Sequence, residues 1–280
     1  MKRGTVRNAE RPAKGPQAKL RAAPRGTSPR NRSLERGLEI LRVFRPGASC
    51  RGNNEIAERT GLPRSTVSRL TQTLVACRFL RYDQVARAYR LGAPVLSLAE
   101  AYLVESEVLP VAMPLMRRVA DKFQVNVGLA VADGDELVYL HAIRRSLGGV
   151  PRHVTTGHRV PVESTAIGRA YLATLNGKDL DRALKAVRPR HKGRWRTIET
   201  DIHKSIRQVR REGYCQVEWL PGMKTVATAV ECPFSAPYVV NLSVKADQCD
   251  DHRMRNELAP ELLRLAMKLR ELLSGQSPDR

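Results

Sequence analysis

Six side chains between residues 64 and 72 (Arg64, Ser65, Thr66, Ser68, Arg69 and Gln72) could bond nucleic acid. Two guanidiniums, three hydroxyls and an amide form the set that reaches phosphate oxygens and base edges. Val67, Leu70, Leu74 and Val75 recur at helical spacing on the other face, where a core would take them. The polar set therefore shares one exposed helical face. The plainer alternative is an ordinary solvated helix.

A second stretch, TGHRVPVESTAIGRAYLATL at 156–175, passes from a loop marked by Gly157 and Pro161 into a helix. Ser164 or Thr165 can cap that helix. A helix start leaves backbone N–H groups unpaired and carries partial positive charge, so it suits a carboxylate or phosphate. A simple capped helix with no ligand is the competing reading. Other chemistry is poorly supported. The six histidines include His153 and His158 in one loop, with His141, His191, His203 and His252 scattered. No HExxH, paired cysteine or dense acidic cluster accompanies them, so neither a metal nor a cofactor is expected. There is no GxSxG elbow, no Walker loop and no GxGxxG opening a helix, and Glu163 beside Ser164 makes no triad, so catalytic residues are expected to be none. Trp195, in the basic stretch RPRHKGRWRT, could stack on nucleic acid, but a solvated loop with a half-buried tryptophan is the stronger expectation.

The elements that must position these groups can be read outward from the polar helix. Ile56 and Ala57 give a preceding short helix its buried face, and Gly61 can end it in the left-handed conformation. Leu62 fills the corner, and Pro63 suits the first turn of the next helix. Ser33 can cap an earlier helix running to about Phe44, with Leu34, Leu38, Leu41 and Phe44 facing one core. Strands are expected at 79–82 and 89–91 around a turn at 83–88. Three helices and a two-stranded wing make a winged helix-turn-helix, whose recognition helix enters the major groove. Arg81, Arg87 and Arg90 on the wing would lie near phosphates. An apolar helix from Pro94 carries Val95, Leu96, Leu98, Ala99, Tyr102 and Leu103 and must bury itself on another subunit or domain. A helix over 109–123 follows, then alternation over 125–143 around Asp133-Gly134, which marks a hairpin. Strands are expected at 214–218, 225–232 and 237–246, with helices near 165–175, 178–187, 199–212 and 254–273. Interspersed helices and hairpin-linked strands describe an α+β domain with an antiparallel sheet.

The 280 residues allow two domains. The net charge of +21 is unevenly spread: residues 1–32 carry ten Lys/Arg against Glu10 alone. Residues 33–92 carry eleven basic against five acidic side chains, and the rest 28 against 22. The excess sits at the end that would touch phosphate. Rich in Pro, Gly and Arg and without hydrophobic period, residues 1–32 are expected to be a disordered basic tail. No apolar run approaches the roughly 20 residues that span a bilayer, so no membrane partner is expected, and the expected location is cytoplasmic. Five cysteines, odd in number and in no CxxC, suggest buried thiols in a reducing compartment.

SLERGLEIL at 33–41, NEIAERTGLPRSTVSRL at 54–70 and YRLG at 89–92 resemble the N-terminal domain of the IclR family of bacterial transcription regulators. RVPVESTAIGRA at 159–170, REGY at 211–214 and PGMKTVATAV at 221–230 resemble the rest of that family, in its order and spacing. The resemblance implies a tail over 1–32, a winged helix-turn-helix over 33–92, a linker helix over 93–108 that helps pair two chains, and a GAF-like effector domain over 109–275. It also implies a palindromic double-stranded DNA operator, assembly as a dimer or tetramer, and a small-molecule effector that is often an organic acid. By position, the N–H groups of Ala166 and Ile167 and the side chains of Val217, Met223, Thr225, Ser243 and Lys245 correspond to the family's ligand contacts. Val217 stands where an acid is frequent, Thr225 where a cysteine is, and Lys245 replaces a small polar residue. An added cation with no acid opposite it favours a carboxylated effector, given that Lys245 points inward. Two rivals remain: an enzyme acting on a small acid with a DNA-binding anchor, and a sequence-indifferent nucleic-acid binder led by its tail.

Overall fold

The computed structural model describes residues 31–145, 154–232 and 235–275. Residues 1–30 of the basic tail and His153 lie outside the described residues.

The first unit is built from three helices, α1 (Arg32–Arg42), α2 (Asn53–Thr60) and α3 (Arg64–Ala76), and a hairpin of β1 (Leu80–Asp83) and β2 (Ala88–Leu91). Ile40, Val43, Phe44, Ile56, Val67, Leu80 and Tyr89 form its core. Asn31, not Ser33, caps α1: its side chain accepts the N–H groups of Ser33 and Leu34. The buried stripe of α1 also differs from the expected one. Ile40 and Phe44 point inward, whereas Leu34 and Leu38 are 61% and 52% exposed. The leucine spacing picked out a real helical stripe, but α2 and α3 cover the adjacent one. Gly61 ends α2 at φ 68°, the left-handed conformation expected of it.

In α3 the buried positions are Val67 and Thr71, with Leu70, Leu74 and Val75 half-buried behind them. Thr71 can be buried because its hydroxyl bonds the carbonyls of Val67 (2.9 Å) and Ser68 (3.0 Å) one turn back. The wing is held by Asp83. One carboxylate oxygen accepts the N–H groups of Val85 (3.1 Å) and Ala86 (3.0 Å), and the other takes Arg90 Nε at 2.8 Å. The Ala86 N–H and then Arg90 hold this carboxyl below its ordinary range. Reciprocal backbone bonds between Arg51 and Tyr89 tie the wing back to the helices.

Helix α4 (Pro94–Val104) leads into α5 (Val108–Phe123) and the second unit. There a six-stranded antiparallel sheet runs in the order β5-β4-β3-β8-β7-β6. Its strands are β3 (Asn126–Asp133), β4 (Glu136–Ile143), β5 (Arg159–Pro161), β6 (Cys215–Leu220), β7 (Met223–Cys232) and β8 (Ser235–Lys245). On one face lie α5 and the C-terminal helix (Ala259–Ser274), with Met116, Leu129, Val240, Leu242, Leu262 and Leu269 in the layer between. The other face carries α6 (Ala166–Leu172), α7 (Gly177–Val187) and α8 (Trp195–Glu212) over Leu137, Ile167, Leu172, Ile202 and Val239. This is the α+β arrangement expected, with the short edge strand β5 as an addition. Trp195 corrects one expectation. It opens α8 four residues before the predicted start and is buried rather than set in a solvated loop. The cysteines correct another: Cys215 and Cys249 are buried, Cys77 is exposed, and Cys50 and Cys232 lie between.

Candidate nucleic-acid interface and ligand cavity

Arg64, Ser65, Arg69 and Gln72 are exposed on α3, with Thr66 and Ser68 half-buried beside them. The burial of Val67 and Thr71 fixes which way this face turns, so the six polar side chains share one side of the helix. Arg81 and Arg87 are exposed on the wing, and Arg87 takes φ 47° at its turn. Arg90 stands apart from them. Its Nε is committed to Asp83, so it braces the hairpin from within.

The second unit holds a cavity of about 80 Å³ between the α6 face of the sheet and the start of α6. Ala166, Ile167, Met223, Thr225 and Ser243, five of the positions that the family resemblance implied as ligand contacts, line it. The strand register explains why: Thr225 pairs with Ser243, and Ser243 with Asn126, so these side chains form a row across three strands. Lys245 pairs with Met223 in the next row of the same face, but neither Lys245 nor Val217 is among the lining residues. A bulge between Val217 and Leu220 brings Trp219 and Leu220 to the cavity instead.

Sequence reasoning missed several wall residues. Tyr139 and Asn241 meet at the floor, the tyrosine hydroxyl donating to Asn241 Oδ1 at 3.3 Å. They can do so because Gly128 lies beneath them. A Cβ there would stand 2.4 Å from the tyrosine ring and 2.5 Å from Asn241 Oδ1. Burial pushes the Tyr139 hydroxyl far above its ordinary pKa, so it remains a neutral donor. Arg144, just past the end of β4, is also a lining residue. The signal for Arg144 was present in the sequence as a cation ending an apolar strand, but only the fold shows which cations reach the cavity.

Thr165 caps α6, accepting the N–H of Gly168 at 3.1 Å while donating to Pro161 O at 2.8 Å. Gly168 is required by close approach, since a Cβ would lie 2.2 Å from Val162 O. Behind this turn Glu163 is 2% exposed, with one oxygen 2.7 Å from His191 Nε2 and the other without a hydrogen-bond partner. Cys215 Sγ lies 3.4 Å from Ala166 O, and burial raises its thiol to about 12, which makes it unreactive. Among the described residues no group of His, Cys, Asp and Glu could hold a metal ion.

The comparisons with known proteins match both units. Residues 33–84 match the IclR helix-turn-helix domain, and residues 100–271 match the bacterial transcriptional regulator IclR C-terminal domain. The chain belongs to the IclR family of bacterial transcription regulators. It is similar to the HTH-type transcriptional regulator TsaQ1/TsaQ2 of Comamonas testosteroni, at 28% identity over 88% of this chain and 90% of that one. An IclR family regulator of known structure from Brucella abortus superposes with a TM-score of 0.78 at 31% identity, over 88% of this chain and 95% of that one. An IclR homologue from Microbacterium hydrocarbonoxydans, solved in complex with 4-hydroxybenzoate, shares the fold at 20% identity and TM-score 0.64, over 87% and 99% of the two chains. As an IclR-family member, the chain is a helix-turn-helix DNA-binding transcription regulator, and the rival enzyme reading is set aside. No helix among the described residues is long and apolar enough to cross a membrane.

Proposed function

We propose that this regulator works in the cytoplasm as a dimer or tetramer on a palindromic operator, and that a small carboxylated metabolite in the α6 cavity controls its affinity. The observation that supports the effector half is the cavity itself, whose lining brings together Arg144, the hydroxyl and amide residues Thr225, Ser243, Asn126 and Asn241, and an apolar wall. A guanidinium recognises a carboxylate by a charge-assisted pair of hydrogen bonds, and the surrounding apolar wall strengthens that contact. Lys245, in the next row of the same face, adds positive potential at the margin. The ligand of the Microbacterium homologue, 4-hydroxybenzoate, is an acid of this chemical class.

In this reading Arg64, Ser65, Thr66, Ser68, Arg69 and Gln72 enter the major groove, while Arg81 and Arg87 hold the flanking phosphates. Two copies related by a twofold axis would place their α3 helices about 34 Å apart, one helical turn of DNA. The apolar linker helix supports the pairing. No residue of α4 is buried, and Leu96, Leu98, Tyr102 and Val104 are all more than half exposed. A second copy of the chain would cover them. Leu34 and Leu38 on α1 present a further apolar strip of the same kind.

A panel of small carboxylates, 4-hydroxybenzoate included, screened by thermal shift and followed by isothermal titration, tests the effector half. At least one acid should bind, and Arg144→Met should weaken it tenfold or more, with Lys245→Met weakening it less. A neutral amide analogue binding as tightly as its acid would overturn the carboxylate assignment.

A further inference from the structure

The two units touch through a chain of alternating charges. Arg45, just beyond α1, grips Glu136 with both terminal nitrogens, at 2.8 and 3.0 Å. The same carboxylate accepts Arg159 Nε at 2.8 Å. Arg159 in turn donates to Asp133 Oδ2 at 2.6 Å, and Asp133 Oδ1 receives Arg42 at 3.2 Å. Three guanidiniums and two carboxylates thus run from the end of α1 to the end of the β3–β4 hairpin and on to β5. The centre of the chain is sheltered, with the side chains of Glu136 and Arg159 only 17% and 18% exposed. Burial by itself would raise Glu136, but its bonds to Arg45 and then Arg159 outweigh that and hold it below the carboxylate range. Fork-shaped charge-assisted bonds of this sort fix angle as well as distance. Removing one partner from such a sheltered set leaves the others uncompensated.

Arg159 is the first residue of β5, and β5 leads directly to the cavity. Val160 lines it, Pro161 O holds the Thr165 hydroxyl, and Thr165 caps the helix whose first residues form the cavity wall. Val162 is pinned on both sides, its N–H bonded to Asp135 O at 3.3 Å and its carbonyl pressed against Gly168. A second arm runs in parallel. Asp135 at the hairpin tip pairs with Arg190, and the adjacent His191 holds buried Glu163. A cavity wall that moves must therefore move the hairpin tip, and the tip is bonded to the DNA-binding unit.

We propose that the β3–β4 hairpin end, through the Arg45–Glu136–Arg159–Asp133–Arg42 chain, is the coupling joint by which the state of the α6 cavity sets the position of the DNA-binding unit. The proposal goes beyond the effector reading and rests on it only for the physiological trigger. The joint itself can be tested without any ligand. Hydrogen–deuterium exchange on the full chain is the measurement, and Ser243→Phe, which fills the cavity from its own wall, is the perturbation. Ser243→Phe should change exchange across residues 40–51 at least threefold, and this change should fall below 1.5-fold when Glu136→Gln is added. Should Ser243→Phe not fold, Ala142→Leu fills the same space and is read the same way. Independently of any cavity variant, Arg45→Gln should speed exchange of the amides of Arg159, Val160 and Val162 by threefold or more. Equal changes at 40–51 with and without Glu136→Gln would overturn the joint, as would no change there in either background or unaltered exchange at those three amides in Arg45→Gln. If the carboxylate panel yields no ligand while these exchange changes occur, the effector assignment fails and the joint stands.

Discussion

Arg69 and Gly168 show what single residues contribute here. Arg69 is exposed on a helix whose orientation is fixed by Val67 and Thr71, both at 0% exposure, and it lies on the face proposed above to enter the groove. A guanidinium bonded to guanine discriminates by about 1–3 kcal/mol. Arg69→Ala is therefore expected to weaken operator binding by that amount and to relax the preference at one base position, read by fluorescence anisotropy on operator and scrambled duplexes. Equal loss on both duplexes would remove Arg69 from base reading. Gly168 acts through what it lacks. Because a Cβ would sit 2.2 Å from Val162 O, Gly168→Ala has to push the start of α6 away from the Val162 backbone. The expected cost is about 1–3 kcal/mol, as for other overpacked sites, with a lowered Tm. Gly177→Ala is the control: its Cβ would meet nothing within 4 Å, and it should leave the Tm unchanged. A Gly168→Ala variant as stable as that control would show that the turn tolerates a side chain.

At the scale of elements, the linker helix and the hairpin end do different work. Helix α4 has apolar residues on several sides and buries none of them fully within the chain, with Leu103 partly buried against the core of the second unit. Replacing Leu96 and Tyr102 together with Glu should lower the mass seen by light scattering to that of a monomer and abolish operator binding. An unchanged mass would place the assembly interface elsewhere. The hairpin end has a pH signature. Glu136 is held below its ordinary range in the folded chain, so its ion pairs contribute stability in full above the unfolded glutamate value of about 4.3. That contribution is lost as pH falls through the lower, folded value. The Tm difference between wild type and Glu136→Gln should accordingly stay constant from pH 8 to pH 5 and shrink below about pH 4.3. A difference that stays constant down to pH 3 would mean that Glu136 contributes by packing instead of charge.

For the whole molecule the charge distribution matters most. Nine of the ten tail cations precede Asn31, and Asn31 itself caps α1. A truncation that isolates the electrostatic contribution must therefore end at residue 30 and spare the cap. Removing residues 1–30 should weaken operator and random DNA alike and flatten the salt dependence, by about 0.9 in log–log slope for each phosphate that the tail no longer neutralises. The ratio of operator to random affinity should persist, because α3 is untouched. Collapse of that ratio would favour the tail-led, sequence-indifferent reading.

The α2–α3 unit was legible in the chain because its determinants are local. Gly61 at the turn, an apolar stripe four residues apart and a polar face between are all readable within two helical turns. The same holds for the Asp133-Gly134 hairpin and for the cap of α6, which the sequence narrowed to Ser164 or Thr165, because their partners lie within a few positions. Asn31 was overlooked because Ser33 satisfied the same rule two residues later. Pairing partners far apart in sequence could not be read. Tyr139 meets Asn241 across 102 positions, and Arg45 meets Glu136 across 91. Strand alternation places Ser243 and Lys245 on one face, but it carries no information about where along that face the cavity ends. The register of β7 against β8 and the bulge in β6 decided that Ser243 lines the cavity, that Lys245 lies beyond it, and that Trp219 replaces Val217. Helical periodicity and turn chemistry are short-range properties of the chain, and so the sequence determined the recognition helix, the wing and the helix entry. The depth of the cavity and the joint between the units depend on which strands lie side by side, and only the folded sheet decided them.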